Sequence, residues 1–224
     1  LPGEVARKCM GGLVCPAQAA LRLRHFVSRD GFDIEGFGAK HVLAFYDEGL
    51  IHSPQDIFTL EERDKTSLKP LRLREGWGPL SAQNLFKAIE ARRNITLPRF
   101  IYALGIPQVG QATAKLLARH YLSYAALKEA MIAAQDQETE AYEDLVIIDG
   151  IGPSVSEDLI AFFNEPHNLE VLDALSKDIT VLDEKPPTVS SSPLMGKTIV
   201  FTGSLAHMTR SEAKVTAEAL GAKV

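Results

Sequence analysis

The chain has 224 residues, of which 46% are apolar, and its formal net charge is −5 at pH 7. This length and composition are sufficient for one or two compact hydrophobic cores. Its apolar runs are too short to span a membrane and no signal peptide is recognisable, so we expect a cytoplasmic protein without a membrane partner. Because the first residue is Leu1 rather than a methionine, we also expect a fragment of a longer protein.

The two cysteines of the chain, Cys9 and Cys15, lie close together near the N-terminus with Gly11 and Gly12 between them. Two thiolates at this spacing can supply half of a tetrahedral zinc site. His25 could be a third ligand, although it falls within residues 16–27, whose pattern is typical of a helix. Two free cytosolic thiols or an adventitious disulfide are the alternatives at this point.

Four short turns separate segments whose apolar residues recur at helical spacing. Three turns place an apolar residue between two glycines, and the third has Gln108 in place of its first glycine. Seven residues beyond the second glycine, each following segment has a phenylalanine or leucine, which gives each predicted helix an apolar stripe. The turns are Gly36-Phe37-Gly38, Gly76-Trp77-Gly78, Gln108-Val109-Gly110 and Gly150-Ile151-Gly152, and the later residues are Phe45, Leu85, Leu117 and Leu159.

A glycine turn that opens a helix presents unpaired backbone N–H groups and the positive end of the helix dipole, and both attract phosphate. A single turn of this kind could equally be an ordinary helix C-cap. A dinucleotide-binding loop does not fit, because His41, Ser81 and Val155 occupy the positions of its third glycine. The repeated pattern resembles the helix-hairpin-helix motif of DNA-binding proteins. In the third turn, Pro107 and Gln108 leave the geometry less certain than in the others.

Charge is distributed unevenly along the chain. Residues 1–135 hold 18 Lys+Arg and 13 Asp+Glu, whereas residues 136–187 hold 2 and 14, so the fourth turn lies in a segment of net charge −12. We therefore expect the fourth turn to contribute less electrostatic affinity for phosphate than the first two. We interpret two basic clusters as backbone contacts to duplex DNA rather than as solvated helix faces alone: Arg22, Arg24, His25 and Arg29, and then Lys65, Lys69, Arg72, Arg74, Lys87, Arg92, Arg93 and Arg99.

The C-terminal part differs in character from the rest. Residues 183–193 read as a flexible linker, and residues 196–203 predict a short buried strand. Thr209 and Glu212 have the spacing of a capping box at the start of a helix that ends near Leu220. An incomplete sheet leaves open edges, so we expect this part to be disordered or to depend on neighbouring segments.

Several segments resemble one family. Residues 15–40, 73–85, 103–115 and 148–152 are similar, in this order, to the bacterial NAD-dependent DNA ligases. The resemblance implies a mainly α fold with a tandem of four helix-hairpin-helix motifs, a partial zinc finger before it and a partial α/β BRCT domain after it. The implied domains are residues 1–27 for the end of a four-cysteine zinc finger, 28–182 for the DNA-binding domain, 183–193 for the linker and 194–224 for the start of the BRCT domain.

The same resemblance implies the function of the parts. The parent protein would seal nicks in duplex DNA with NAD and magnesium, in the bacterial cytoplasm and associated with the nucleoid, with further ligase domains upstream and the rest of the BRCT domain downstream. This fragment has no adenylation motif and would hold DNA without catalysing. Cys9 and Cys15 would be zinc ligands of the intact protein. The implied DNA contacts are Gly36, Gly38, Lys40, Gly76, Gly78, Ser81, Gly110, Ala112, Thr113, Lys115, Gly150, Gly152 and Ser154.

Two other functions remain open at this stage. One is a non-catalytic repair or junction-binding module built from the same motifs. The other is a protein-interaction scaffold in which the turns are purely structural, which the acidic net charge favours.

Overall fold

The structure is a computed structural model that describes residues 18–185 and, beyond them, residues 194, 197–201, 213, 216–217, 220 and 222. The mainly α fold that the sequence predicts is confirmed for the described residues. Their helices are α1 (Ala19–Phe26), α2 (Ala39–Asp47), α3 (Pro54–Phe58), α4 (Leu60–Lys65), α5 (Pro79–Glu90), α6 (Leu97–Ala103), α7 (Gln111–Tyr121), α8 (Tyr124–Ala133), α9 (Glu140–Val146), α10 (Pro153–Phe163) and α11 (Pro166–Leu175). A 3₁₀ helix covers Leu71–Leu73.

One small sheet, which the sequence analysis did not predict, joins distant parts of the described chain. Strand β1 (Asn94–Thr96) pairs in parallel with β2 (Thr180–Leu182), with Ile95 opposite Val181. The ladder begins where the Thr180 N–H donates to the Arg93 carbonyl oxygen at 2.7 Å. The segment from α6 to α11 therefore starts and ends at the same place.

The centre of the core is a group of phenylalanines that joins α1, α3 and α6. Phe26 and Phe32 are stacked with ring centroids 4.2 Å apart, and Phe58 and Phe100 meet Phe32 edge-on at 5.4 and 6.4 Å. All four side chains are buried. Edge-on and offset contacts are the favoured geometries for aromatic pairs, so this group fixes the three helices relative to one another.

The four predicted stripe residues, Phe45, Leu85, Leu117 and Leu159, are all buried. They belong to the same continuous core as the phenylalanines. Helix α1 also packs into that core through Leu23 and Phe26, although the predicted domain boundary falls after residue 27.

Three arginines of the second predicted basic cluster act inside the fold. Arg92 donates to the backbone and carboxylate oxygens of Asp33 at 2.9 and 2.7 Å. Arg99 donates to the carbonyl oxygens of Gly31 and Arg29 at 3.0 and 2.6 Å. Arg93 donates to the carbonyl oxygens of Phe58 and Asp178 at 2.9 and 2.8 Å. The interpretation of these three side chains as DNA contacts is corrected, because their donors already hold loops together.

The terminal predictions fall mostly outside the described residues. Cys9, Cys15 and the predicted capping box lie there, and so does most of the predicted linker. Within residues 197–201, the structure shows an isolated bridge at Thr198 and a Val200 that is 77% exposed, so the buried strand predicted for 196–203 is not seen in the described part. Residues 213, 216 and 217 are helical, and the Leu220 N–H donates to the Thr216 carbonyl oxygen at 3.1 Å, as the predicted helix requires.

None of the helices among the described residues has the length and hydropathy that a membrane crossing needs.

Candidate nucleic-acid interface

The four turns share one backbone geometry. In each, the N–H of the central apolar residue donates to the carbonyl oxygen three residues earlier, and the residue before the apolar one has a positive φ. A turn with a positive φ at its third residue only is a type II turn. The bonds are Phe37 to Ile34 (3.2 Å), Trp77 to Arg74 (3.1 Å), Val109 to Ile106 (3.1 Å) and Ile151 to Ile148 (3.0 Å). The positive φ angles are 76° at Gly36, 77° at Gly76, 63° at Gln108 and 87° at Gly150.

The third turn, whose geometry the sequence left uncertain, is like the other three. Gln108 adopts the left-handed conformation that glycine has elsewhere, and Pro107 occupies the second position of the turn. Proline favours that position of a type II turn because its φ is fixed near −65°.

The second glycine of each turn is the N-cap of the helix that follows. Gly38, Gly78, Gly110 and Gly152 precede α2, α5, α7 and α10, with φ between −74° and −143° and extended ψ. Any residue adopts this conformation. A Cβ added at any of these four glycines would meet no atom within 4 Å. Neither the backbone conformation nor internal packing therefore requires glycine at these four positions.

The helices after the turns differ in capping from α8, α9 and α11, whereas α1, α4 and α6 also lack a side-chain cap. The N-caps of helices α8, α9 and α11 are Ser123, Thr139 and Glu165, whose side chains each accept a hydrogen bond from a first-turn amide. A glycine N-cap has no side chain to do this, so the first-turn amides of α2, α7 and α10 have no side-chain cap. At α5, Ser81 Oγ accepts from the N–H of Gly78 at 2.9 Å.

The remaining predicted site residues lie around these helix starts. Lys40 and Lys115 are exposed on α2 and α7, and Ala112 is exposed in the first turn of α7. Thr113 is half-buried beside it. Ser154 is exposed in the first turn of α10, where its Oγ accepts a hydrogen bond from Gln108 Nε2 at 2.7 Å.

The turns are arranged in two pairs. In the first pair, the Trp77 ring of the second turn lies 4.8 Å from the His41 ring and 5.5 Å from the Phe45 ring, both on the helix that follows the first turn. Arg74 adds an ion pair with Glu48. In the second pair, Gln108 of the third turn bonds to α10, and a Cβ on Gly150 would lie 3.1 Å from Leu116 Cδ1 on α7.

Two residues that hold the turns in place, His41 and Gln108, were not among the contacts predicted from the sequence. His41 Nδ1 donates to the Gly36 carbonyl oxygen at 2.8 Å and so braces the first turn. Gln108 joins the third turn to α10. The signal for Gln108 was present, since a non-glycine residue where three equivalent turns have glycine needs a compensating contact.

Acidic side chains surround the fourth turn, as the charge distribution predicts. Asp149 and Glu157 are exposed near it, and Asp144 on α9 bonds to His120 Nε2 at 2.6 Å. Burial, and secondarily the charge of Asp144, raise the pKa of the Tyr121 phenol well above its ordinary value.

Among the described residues, no group of three or more His, Cys, Asp or Glu side chains is placed to hold a metal ion. His25, the possible third zinc ligand, bonds through Nε2 to the Tyr102 carbonyl oxygen at 2.8 Å.

The comparison with known proteins agrees with this geometry. A family model described as a helix-hairpin-helix motif matches residues 99–172, which contain the second pair of turns. Curated DNA ligases from Rhodospirillum rubrum, Parvibaculum lavamentivorans and Pelobacter propionicus are 61%, 56% and 49% identical to the chain. These alignments cover 99%, 99% and 100% of the chain, but only 32%, 31% and 33% of the relatives. The chain, which spans about a third of the length of the curated relatives it matches, is a homologue of one segment of bacterial DNA ligases.

Proposed function

We propose that this chain is the DNA-binding part of an NAD-dependent DNA ligase, and that the helix starts after its four turns hold phosphates of a nicked duplex. The observation that carries the proposal is the set of N-cap glycines Gly38, Gly78, Gly110 and Gly152. The fold itself gives no reason for glycine there, because the backbone is extended and a Cβ would meet no atom within 4 Å. The absence of a side chain instead suits close approach by a molecule from outside.

Phosphate fits the groups that these glycines leave open. Uncapped first-turn amides point outward at the positive end of the helix dipole, and they bind phosphate oxygens without reading base sequence. Sequence independence is what a nick-sealing enzyme requires, since nicks occur in any sequence. Lys40 and Lys115 would add charge at the first and third turns. Gly36, Gly76, Gly150, Ala112, Thr113, Ser81 and Ser154 complete the proposed contact surface.

The rest of the proposal concerns the parent protein. Its upstream domains would carry the reaction with NAD and magnesium, and Cys9 and Cys15 would complete a zinc site with two cysteines from outside this chain. This segment would supply binding and orientation of the duplex and no catalytic group.

The test replaces glycine by the residue that helix N-caps favour. In Gly38→Ser, Gly110→Ser and Gly152→Ser, the hydroxyl would accept hydrogen bonds from the first-turn amides. We expect each variant to melt at an unchanged or higher temperature, yet to bind nicked duplex about tenfold more weakly, which is the value of roughly one hydrogen bond to a charged group. Melting temperature and the dissociation constant for a labelled nicked duplex are measured on the full 224-residue chain.

The matched control is Ser123→Ala, which removes a side-chain cap from α8, a helix that follows none of the four turns. It should lower the melting temperature and leave DNA affinity unchanged. If the serine variants of the turns bind DNA as well as the unaltered chain does, the amides are not the phosphate ligands.

A salt titration separates DNA binding from a scaffold role. The observed binding constant of a DNA module should fall with about 0.9 log units per log unit of salt for each phosphate that its cations neutralise. The serine variants of the turns should lower affinity without changing this slope, because a backbone amide has no net charge and displaces no counterion from DNA. Lys115→Ala removes a cation and should make the slope shallower. No binding by the unaltered chain at low salt would reject the proposed function and favour a protein-interaction scaffold.

A further inference from the structure

The third turn is the only one of the four turns that has a residue other than glycine at the position of positive φ. At the left-handed position, Gln108 has a φ of 63°, where Gly36, Gly76 and Gly150 stand in the other turns. A residue with a Cβ is strained in this conformation, and such strain persists where the surrounding structure over-determines it. Contacts of the Gln108 side chain therefore offset a backbone strain that glycine would not have.

The side chain of Gln108 reaches across to the helix that follows the fourth turn. Its Nε2 atom lies 2.7 Å from Ser154 Oγ, 3.3 Å from the Ser154 carbonyl oxygen and 2.5 Å from an Asp158 carboxylate oxygen. All three acceptors belong to the first two turns of α10. One amide group thus fixes the third turn relative to the start of α10, which is the proposed phosphate-binding end of the fourth motif.

These contacts also set the roles of the two polar side chains on α10. Ser154 Oγ accepts from Gln108, so the Ser154 hydroxyl proton remains available for an acceptor from outside. The Asp158 carboxylate is tied to the amide group of Gln108, which holds a negative charge in a fixed place near the helix start.

We propose that Gln108 is a positioning residue that sets the spacing of the third and fourth turns and turns the Ser154 hydroxyl outward as a donor to DNA phosphate. The inference rests on the proposed function, because it concerns how two of the phosphate sites are held together. Strain at Gln108 is the cost of this coupling. The first pair of turns has a different link, through the rings of His41 and Trp77.

A purely structural brace would behave differently from a positioning residue. Gln108 and Ser154 are both exposed, and hydrogen bonds between exposed groups add little to folding stability because water competes for them. Replacing Gln108 by glycine removes the strain and the brace together. We therefore expect Gln108→Gly to melt at an unchanged or higher temperature while it binds DNA more weakly.

The experiment measures melting temperature and affinity for a labelled nicked duplex in the full chain. Gln108→Gly should bind about tenfold more weakly, as for the loss of one hydrogen bond to a charged group. Gln108→Asn is the matched variant, since asparagine tolerates the left-handed conformation but is one methylene too short to reach Ser154. It should lose affinity to a similar extent. Ser154→Ala, alone and combined with Gln108→Gly, completes a double-mutant cycle.

A combined loss smaller than the sum of the two single losses would support the inference, because it shows that Gln108 acts through Ser154. Unaltered affinity in both Gln108 variants would overturn it, and so would strictly additive losses accompanied by a lower melting temperature. If the unaltered chain fails to bind the nicked duplex at low salt, the proposed function fails and this inference fails with it. If the unaltered chain binds the nicked duplex and the Gln108 variants bind it equally well, the inference fails but the proposed function stands.

Discussion

At the scale of single residues, the two glycine positions of the turns, the first of which is Gln108 in the third turn, have different requirements. The first, as at Gly36 and Gly150, is required by the backbone, which has a positive φ there. The second, as at Gly38, satisfies no requirement within the described residues, because a Cβ there would meet open space. A glycine without an internal cause is therefore the better indicator of an external partner, whereas a glycine with positive φ indicates only the turn.

The backbone requirement can be measured at two matched positions. Gly36→Ala should lower the free energy of unfolding by about 1 kcal/mol, because alanine is strained at positive φ. Gly150→Ala should cost more, since its Cβ would also lie 3.1 Å from Leu116 Cδ1, whereas a Cβ on Gly36 meets no atom within 4 Å. Urea denaturation of both variants checks the order. Equal losses would mean that Leu116 moves aside without cost.

At the scale of helices, strands and turns, local patterns could be predicted and long-range partners could not. The burial of Phe45 and Leu159 on their helices could be predicted from helical spacing, and the turns could be predicted from the conformational freedom of glycine. Strand β1 has only three residues, too few for its alternation of exposed and buried positions to be recognised, and its partner β2 is more than 80 residues away, so nothing local marks the pair. The internal roles of Arg92, Arg93 and Arg99 were missed for the same reason, because each has acceptors that are distant in the sequence.

Arg93 joins the end of α3 to the segment between α11 and β2. Its guanidinium donates to the carbonyl oxygens of Phe58 and Asp178 and stands 5.8 Å from the centre of the Phe58 ring. A lysine ammonium cannot span both acceptors in this planar geometry. Arg93→Lys should therefore lower the free energy of unfolding in urea by about 1 kcal/mol, the value of a typical hydrogen bond between partly buried groups.

Arg72→Lys is the control for Arg93→Lys, because Arg72 is exposed. It should leave the unfolding free energy unchanged. The affinity for nicked duplex should be the same for Arg93→Lys as for the unaltered chain. Weaker DNA binding together with normal stability would restore Arg93 as a phosphate contact, because lysine keeps the charge but not the bidentate geometry.

At the scale of the whole molecule, the four turns form two linked pairs on a shared core. The first pair lies in the basic part of the chain, and the second extends into the acidic part. The proposed DNA contacts would then differ in kind, with more charge at the first pair and more amide contact at the fourth turn. The sequence could predict which residues lie near the turns. It could not predict their pairing, since the links through Trp77 and Gln108 depend on packing between helices.

The half-buried Tyr121 at the end of α7 makes the stability of the molecule decrease at alkaline pH. Burial, with a smaller contribution from Asp144, raises the pKa of Tyr121 above the ordinary tyrosine value of about 10. The folded state thus holds this proton more tightly than the unfolded state does. The contribution of Tyr121 to stability is complete below about pH 10 and is lost as the pH rises further.

The comparison of unfolding free energies for the unaltered chain and Tyr121→Phe between pH 8 and 11 tests this effect. Phenylalanine cannot ionise, so the variant should lose less stability above about pH 10 than the unaltered chain does. Two curves that stay parallel over the whole range would show that Tyr121 ionises equally well in both states.

The short ladder of β1 and β2 has a consequence for how the molecule could have arisen and could be rebuilt. Because paired strands lie about 4.8 Å apart, the entry and exit of the segment from α6 to α11 are immediate neighbours. A segment with adjacent ends can be exchanged for a related segment without moving the chain on either side of it, provided that the new segment also supplies Phe100 to the shared core. The second pair of turns could therefore be replaced as one unit, with β1 and β2 as the points of exchange.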